Sequence, residues 1–165
     1  MAFRYPLEKQ VQDKWCWAAV TASVDHYFNP GSTLSQCEVA EAVLGGNCCP
    51  DQEACNQVES LDNALSKFNR LDGVATAFSP SFEEIQQKID SRMPVCVRVE
   101  WRGGGGHFVV ITGYRLTKSK RRMLEIADPL FPSSIMWWDD FLSSYQNVEQ
   151  PDGGGFWSHT FQVKR

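Results

Sequence analysis

Apolar and polar positions change rhythm once along this chain, near Pro94. Before it, apolar residues recur at helical spacing. The stretch 15–27 carries Ala18, Ala19, Val20, Ala22 and Val24 and predicts a buried helix, begun at Lys14 or Trp15 behind Asp13 as its cap and stopped by Asn29-Pro30-Gly31. A second helix is predicted over 35–44, ended by Gly45-Gly46, and a third over 58–68, with Leu61, Leu65 and Phe68 on one stripe. Ser81-Phe82-Glu83-Glu84 has the form of a capping box and opens a fourth helix with Ile85 and Ile89. Beyond Pro94 the period falls to two, and Val95, Val97 and Val99 alternate in a strand that runs to Trp101. Further strands are predicted over 107–116, 123–127 and 156–163, with a short helix over 137–145. Helices first and antiparallel strands second make an α+β fold.

The 165 residues suit one domain, 1–165, long enough to bury a core without metals or disulfides as obligatory staples. With 42% hydrophobic and 22% charged residues the chain is globular in composition. A formal charge of −4 argues against a nucleic-acid partner. No apolar run approaches the roughly 18–20 residues of a membrane span. Residues 1–8 lack the apolar core of a Sec-type signal.

Six cysteines change that picture. Cys37, Cys48, Cys49 and Cys55 crowd one segment, while Cys16 and Cys96 stand alone. Clustered thiols bind metal or form bridges. No Cys-x-x-Cys pair occurs, and the adjacent Cys48 and Cys49 do not easily share one ion. Two disulfides are favoured over zinc, with all three pairings open; four idle thiols are the remaining reading.

A nucleophilic cysteine needs a helix N-terminus or a cation, a base, and a group to orient that base. Cys16 falls in the first turn of an apolar helix, between Trp15 and Trp17, although a helix does not ordinarily bury three consecutive residues equally. His107 follows four glycines and opens a strand on the face of Val109 and Ile111. A turn centred near Ser119 sets His107 opposite 129–131, with Asp128 on the diagonal, about 7–8 Å away between backbones. Singly, each has a bland reading as a small buried thiol, a strand-end histidine and a turn residue before Pro129. Together they make a Cys16–His107–Asp128 triad. Gln10, with the Cys16 backbone N–H, offers an oxyanion hole, and Gln12 is its competitor. Trp17, Gly105 and Gly106 border the expected groove. His26 at a helix end, Cys96 inside a strand and His159 on a face with Trp157, Phe161 and Val163 read as structural. Lys118, Lys120, Arg121 and Arg122 read as a solvated hairpin tip.

Gln10-x5-Cys16-Trp17, then Gly-Gly-His107-Phe-Val-Val-Ile, then Asp128-Pro129, resembles the papain-like cysteine proteases. It is most similar to their small bacterial branch of avirulence-effector proteases and double-glycine peptidases. The likeness runs in order from Gln10 to Asp128. It implies a papain-like fold, with the Cys helix packed on a C-terminal antiparallel sheet. It also implies a Cys16 nucleophile, His107 base, Asp128 orienting residue and Gln10 oxyanion donor, with no cofactor and no metal. The clustered cysteines resemble a cysteine-rich insert of secreted members. Asp128 stands where papains use Asn, as the bacterial branch allows, and no pro-segment is visible.

The expected activity is endoproteolysis of a protein or peptide through a thioester. The same triad used for deamidation or transamidation, and an inactive binding module, are the alternatives. A monomeric effector or toxin is expected, secreted or delivered into a target cell and paired with a cognate inhibitor, with a cytoplasmic location also open.

Overall fold

The change of period at Pro94 becomes a change from helices to sheet in the computed structural model, which describes residues 1–149 and 151–165. Helices α1 (Cys16–Phe28), α2 (Gln36–Leu44), α3 (Leu61–Lys67) and α4 (Phe82–Asp90) come first. Strands β1 (Val95–Trp101), β2 (Gly106–Leu116), β3 (Arg122–Ala127) and β4 (Ser134–Trp137) follow, then α5 (Trp138–Ser143) and β5 (Gly155–Gln162). The strands form an antiparallel sheet in the order β4-β3-β2-β1-β5. The fold is α+β, as the sequence pattern predicts, and papain-like, as the resemblance implies.

Helices cover both faces of the sheet. On one, Cys96, Phe108, Val110 and Phe161 pack with Trp15, Trp17 and Val20 around α1 and with Leu61 and Leu65 of α3. On the other, Val97, Val109, Ile111, Leu124 and Ile126 pack with Phe82, Ile85 and Ile89 of α4 and with Trp138 and Phe141 of α5. Double coverage explains why β2 is an almost unbroken apolar run. The register is the expected one, with Ile111 opposite Ile126 and Leu116 opposite Arg122, interrupted by a bulge near Thr112. There the N-terminal segment crosses, and Ala2 bridges Gly113 so closely that a Cβ on residue 113 would stand 2.6 Å from that of Ala2.

Capping boxes form at Ser35 with Glu38 and at Ser81 with Glu84, and Gly45 ends α2 in the left-handed region at φ 73°. Asp13 does not cap α1. Trp15 takes the cap position without a side-chain bond, and Asp13 instead accepts a hydrogen bond from Asn56. Helix α3 starts at Leu61, later than the predicted 58, because Val58 is 77% exposed and has no core to join. Strand β4 lay outside the predicted elements, being four residues long and nowhere fully buried.

The expectation that one helix would not bury Trp15, Cys16 and Trp17 together is corrected. Every residue from Trp15 to Val24 is buried. The cover is the loop over 45–57, stapled by disulfides Cys37–Cys49 and Cys48–Cys55. Trp15 Nε1 donates to the Cys55 carbonyl at 2.9 Å, and Trp17 Nε1 to that of Gln57 at 3.0 Å. Among the described residues no helix is long and apolar enough to cross a membrane.

Candidate active site

Strand β2 opens with His107 where the glycine turn ends, and β3 delivers Asp128 just past its last residue. Their side chains meet, with His107 Nε2 2.7 Å from Asp128 Oδ1, and the two residues are only 3% and 0% exposed. The same Oδ1 accepts the backbone N–H groups of Leu130, at 2.7 Å, and Phe131, at 2.9 Å. Those bonds come from the turn that Asp128 itself shapes ahead of Pro129. Among the described residues Oδ2 has a single partner, the hydroxyl of Tyr145. Burial opposes the Asp128 charge, but His107, Tyr145 and the Leu130 amide outweigh it and hold this carboxyl below its ordinary range.

Burial alone would likewise lower His107. The hydrogen bonds and charges of Asp128 and Cys16 reverse that and raise the imidazole to about 9. With Nε2 given to Asp128, Nδ1 is the nitrogen left for the Cys16 thiol. Trp101 lies parallel to the imidazole, with ring centres 5.8 Å apart, and parallel to Tyr145 at 6.3 Å. Phe131 meets His107 edge-on at 6.0 Å. The His107–Asp128 bond is therefore walled from water by aromatic rings, in the low-dielectric surroundings where such a bond is strongest.

Cys16 is the first residue of α1. Its position is fixed from outside by the stapled loop, since Asn56 Oδ1 accepts the Lys14 N–H at 3.2 Å while the two indoles bind the loop carbonyls. A cavity of about 580 Å³ opens beside it, bordered by Trp17, Leu61, Gly105, Gly106, Phe108 and Phe161. The groove residues Trp17, Gly105 and Gly106 thus line one cleft with Cys16, which is large enough to receive substrate side chains.

Gln10 is held beside the turn after Asp128, its backbone N–H donating to the Pro129 carbonyl at 2.9 Å. Its Nε2 gives its hydrogens to the carbonyls of Gln12, at 3.0 Å, and Asp13, at 2.8 Å, and among the described residues its buried Oε1 has no partner. Lys9 ties the segment down further, reaching the Asp128 carbonyl at 2.8 Å.

Three residues carry no functional signal in the sequence: Tyr145 falls at the end of a predicted helix, Trp101 at the end of a predicted strand, and Arg98 within that strand. The face assigned to His159 is corrected too. A bulge beyond Arg98 shifts β5, so Trp157 joins the α4–α5 side while His159 and Phe161 border the cleft. His26 pairs with Glu8 at 3.1 Å. Cys96 is buried, and burial pushes its thiol well above the ordinary range. Among the described residues no group of His, Cys, Asp or Glu is placed to hold a metal ion.

The sequence model described as "Peptidase_C39 like family" matches residues 3–153. The chain belongs to that family, which is one of cysteine peptidases. No curated protein matches it.

Proposed function

Starting from that membership, we propose that the chain is a cysteine endopeptidase in which Cys16 attacks, His107 transfers protons and Asp128 orients His107. The observation that carries this reading is the buried His107–Asp128 pair, whose free imidazole nitrogen is left for a thiol at a helix start beside an open cleft. The Cys16 thiol gives its proton to His107 as its sulfur bonds to the scissile carbonyl carbon, and negative charge collects on the carbonyl oxygen. The Cys16 backbone N–H and Gln10 receive that charge, Gln10 after Nε2 leaves one of its two carbonyl partners. His107 then protonates the departing amine as the C–N bond breaks. Water, giving its proton to His107, displaces the sulfur from the thioester.

The chain reads as a single domain, because both cores are built on the same sheet. Two disulfides fit an oxidising compartment and a secreted or delivered protein. An effector or toxin role, with an inhibitor in the producing cell, is the setting proposed for it. The test is a proteome-derived peptide mixture treated with the protein or with Cys16→Ala. New N-termini with the first alone are expected. Conversion of side-chain amides without new termini would replace proteolysis with deamidation, and no change in either would sink the reading.

A further inference from the structure

One wall of the cleft beside Cys16 is charged. Arg98 stands in β1 opposite Phe108 of β2 and His159 of β5, so these neighbouring side chains share a face of the sheet and border the same cleft. The guanidinium is anchored at one end, where Nη1 donates to Glu100 Oε2 at 2.9 Å and to Ser158 Oγ at 3.0 Å. Nε and Nη2 form the other edge, and among the described residues neither donates to a protein acceptor. The flat face of the guanidinium lies against Gly106, where a Cβ would come within 2.8 Å of Cζ and Nη2 and 2.9 Å of Nε. Gly106 is thus required for space: a larger residue one step before His107 would push the guanidinium aside.

A rigid guanidinium, on a side chain 28% exposed in a cleft and with its Nε–Nη2 edge unpaired among the described residues, matches one ligand chemistry. The two parallel N–H groups fit the two oxygens of a carboxylate, and charge-assisted forked bonds are stronger than neutral ones. His159, sharing the Ser158 hydroxyl at 3.0 Å, and Lys14 border the same cleft. Glu59 and Asp62 border it too, and Glu59 Oε1 is occupied by the Ser60 N–H at 2.6 Å and by Asn63 at 3.2 Å. With both signs present, selection rests on contact with Arg98 and owes little to a long-range field.

We propose that Arg98 is a specificity-determining residue, its free Nε–Nη2 edge binding the carboxylate of an acidic substrate side chain seated in the cleft beside Cys16. The inference rests on the endopeptidase reading of the same site. Its test uses matched peptide sets, built on a sequence the enzyme cleaves, with Glu, Gln or Lys placed in turn at each position flanking the scissile bond. At one position the wild-type protein should cleave the Glu peptide about tenfold better, in kcat/KM, than the Gln peptide, with Lys worst. Arg98→Met should bring the Glu/Gln ratio to about one, and Arg98→Glu should turn the preference toward Lys. Neutral peptides cut by the wild type and spared by Cys16→Ala, with no position favouring Glu, would overturn this proposal and leave the endopeptidase standing. A Glu preference that survives in Arg98→Met would overturn it as well. If either variant fails to fold, the wild-type Glu, Gln and Lys series decides by itself. No cleavage of any peptide would end the endopeptidase reading and this inference with it.

Discussion

The two walls of the cleft are held by different means. The wall that presents Cys16 is helical, and its outer side is closed by an irregular loop that two disulfides staple. Few backbone ladders reach that loop; it grips α1 through two indole N–H groups and Asn56. The wall that presents His107 is sheet, with strand ladders on both sides of β1 and a carboxylate that gathers His107, Tyr145 and two backbone amides. The place of Cys16 therefore depends on covalent bonds outside the site, and the place of His107 on hydrogen bonds inside it. Each wall should fail under a different insult.

Removing the reacting groups gives the largest expected effect and separates the walls by stability. Cys16→Ala and His107→Ala should each cost on the order of 10⁴-fold or more in turnover, since nucleophile and base act as one unit. Cys16→Ala removes one sulfur from a packed position and should cost about 1 kcal/mol of stability. His107→Ala leaves Asp128 buried without its imidazole and should cost roughly 3–5 kcal/mol. Urea unfolding beside the turnover assay reads both. Equal stability losses would erase the contrast between the walls.

Opening the bridges should break the helical wall alone. The bridges close short loops, with sequence separations of 12 and 7, and losing one should cost about 2–4 kcal/mol. Activity is expected to fall in a non-thiol reductant or in Cys48→Ser/Cys55→Ser, because the cover over Trp15 and Trp17 comes loose. The low-field proton signal of the His107–Asp128 bond should persist at reductant levels where turnover is gone. Loss of both signals together would mean that the walls fold as a single unit.

This contrast marks where the sequence could be read. Alternating valines and a polar hairpin tip fixed β1, β2 and their register closely enough to bring Asp128 to His107, because sheet pairing is arithmetic once the turn is located. The capping boxes at Ser35 and Ser81 were legible because each is a local exchange of two hydrogen bonds. Asp13 misled because its best partner, Asn56, is distant in sequence and tied to the stapled loop. Tyr145 was invisible for a similar reason, lying 17 residues beyond the carboxylate it serves. The disulfide pairing was one of three that the spacing allowed equally.

The proposed oxyanion donor joins the two walls, since Gln10 is bound to Pro129 behind Asp128 while its amide holds the Gln12 and Asp13 carbonyls ahead of α1. Gln10→Ala should lower kcat by about 10²–10³ with little change in stability. Gln12→Ala is expected to be milder, as its backbone carbonyl, which Gln10 uses, remains. A silent Gln10→Ala beside a damaging Gln12→Ala would shift the donor by two residues.

The smallest expected effect tests the sheet wall at its far end. Tyr145→Phe keeps the ring parallel to Trp101 and edge-on to Phe141, and removes only the hydroxyl on Asp128 Oδ2. Losing a hydrogen bond to a buried charge should cost roughly 1.5–3 kcal/mol, in stability and in part in rate. The pH profile separates positioning from packing. His107 is raised from 6.5 to about 9, so the stability it lends is complete below 6.5 and is lost as pH climbs through 9. Activity of the wild type should fall along the same alkaline limb. Asp128 is shifted the other way, so its contribution is lost only in acid, as pH falls through its lowered value. Without the hydroxyl the carboxylate is less stable and protonates at higher pH, so the acid limb of Tyr145→Phe should move up. Its alkaline limb, set by His107 where Asp128 is ionised in both proteins, should stay at about 9 or above, with KM unchanged because Tyr145 lies outside the cleft. A rate lowered equally at every pH would assign Tyr145 to packing and leave Asp128 to hold His107 without it.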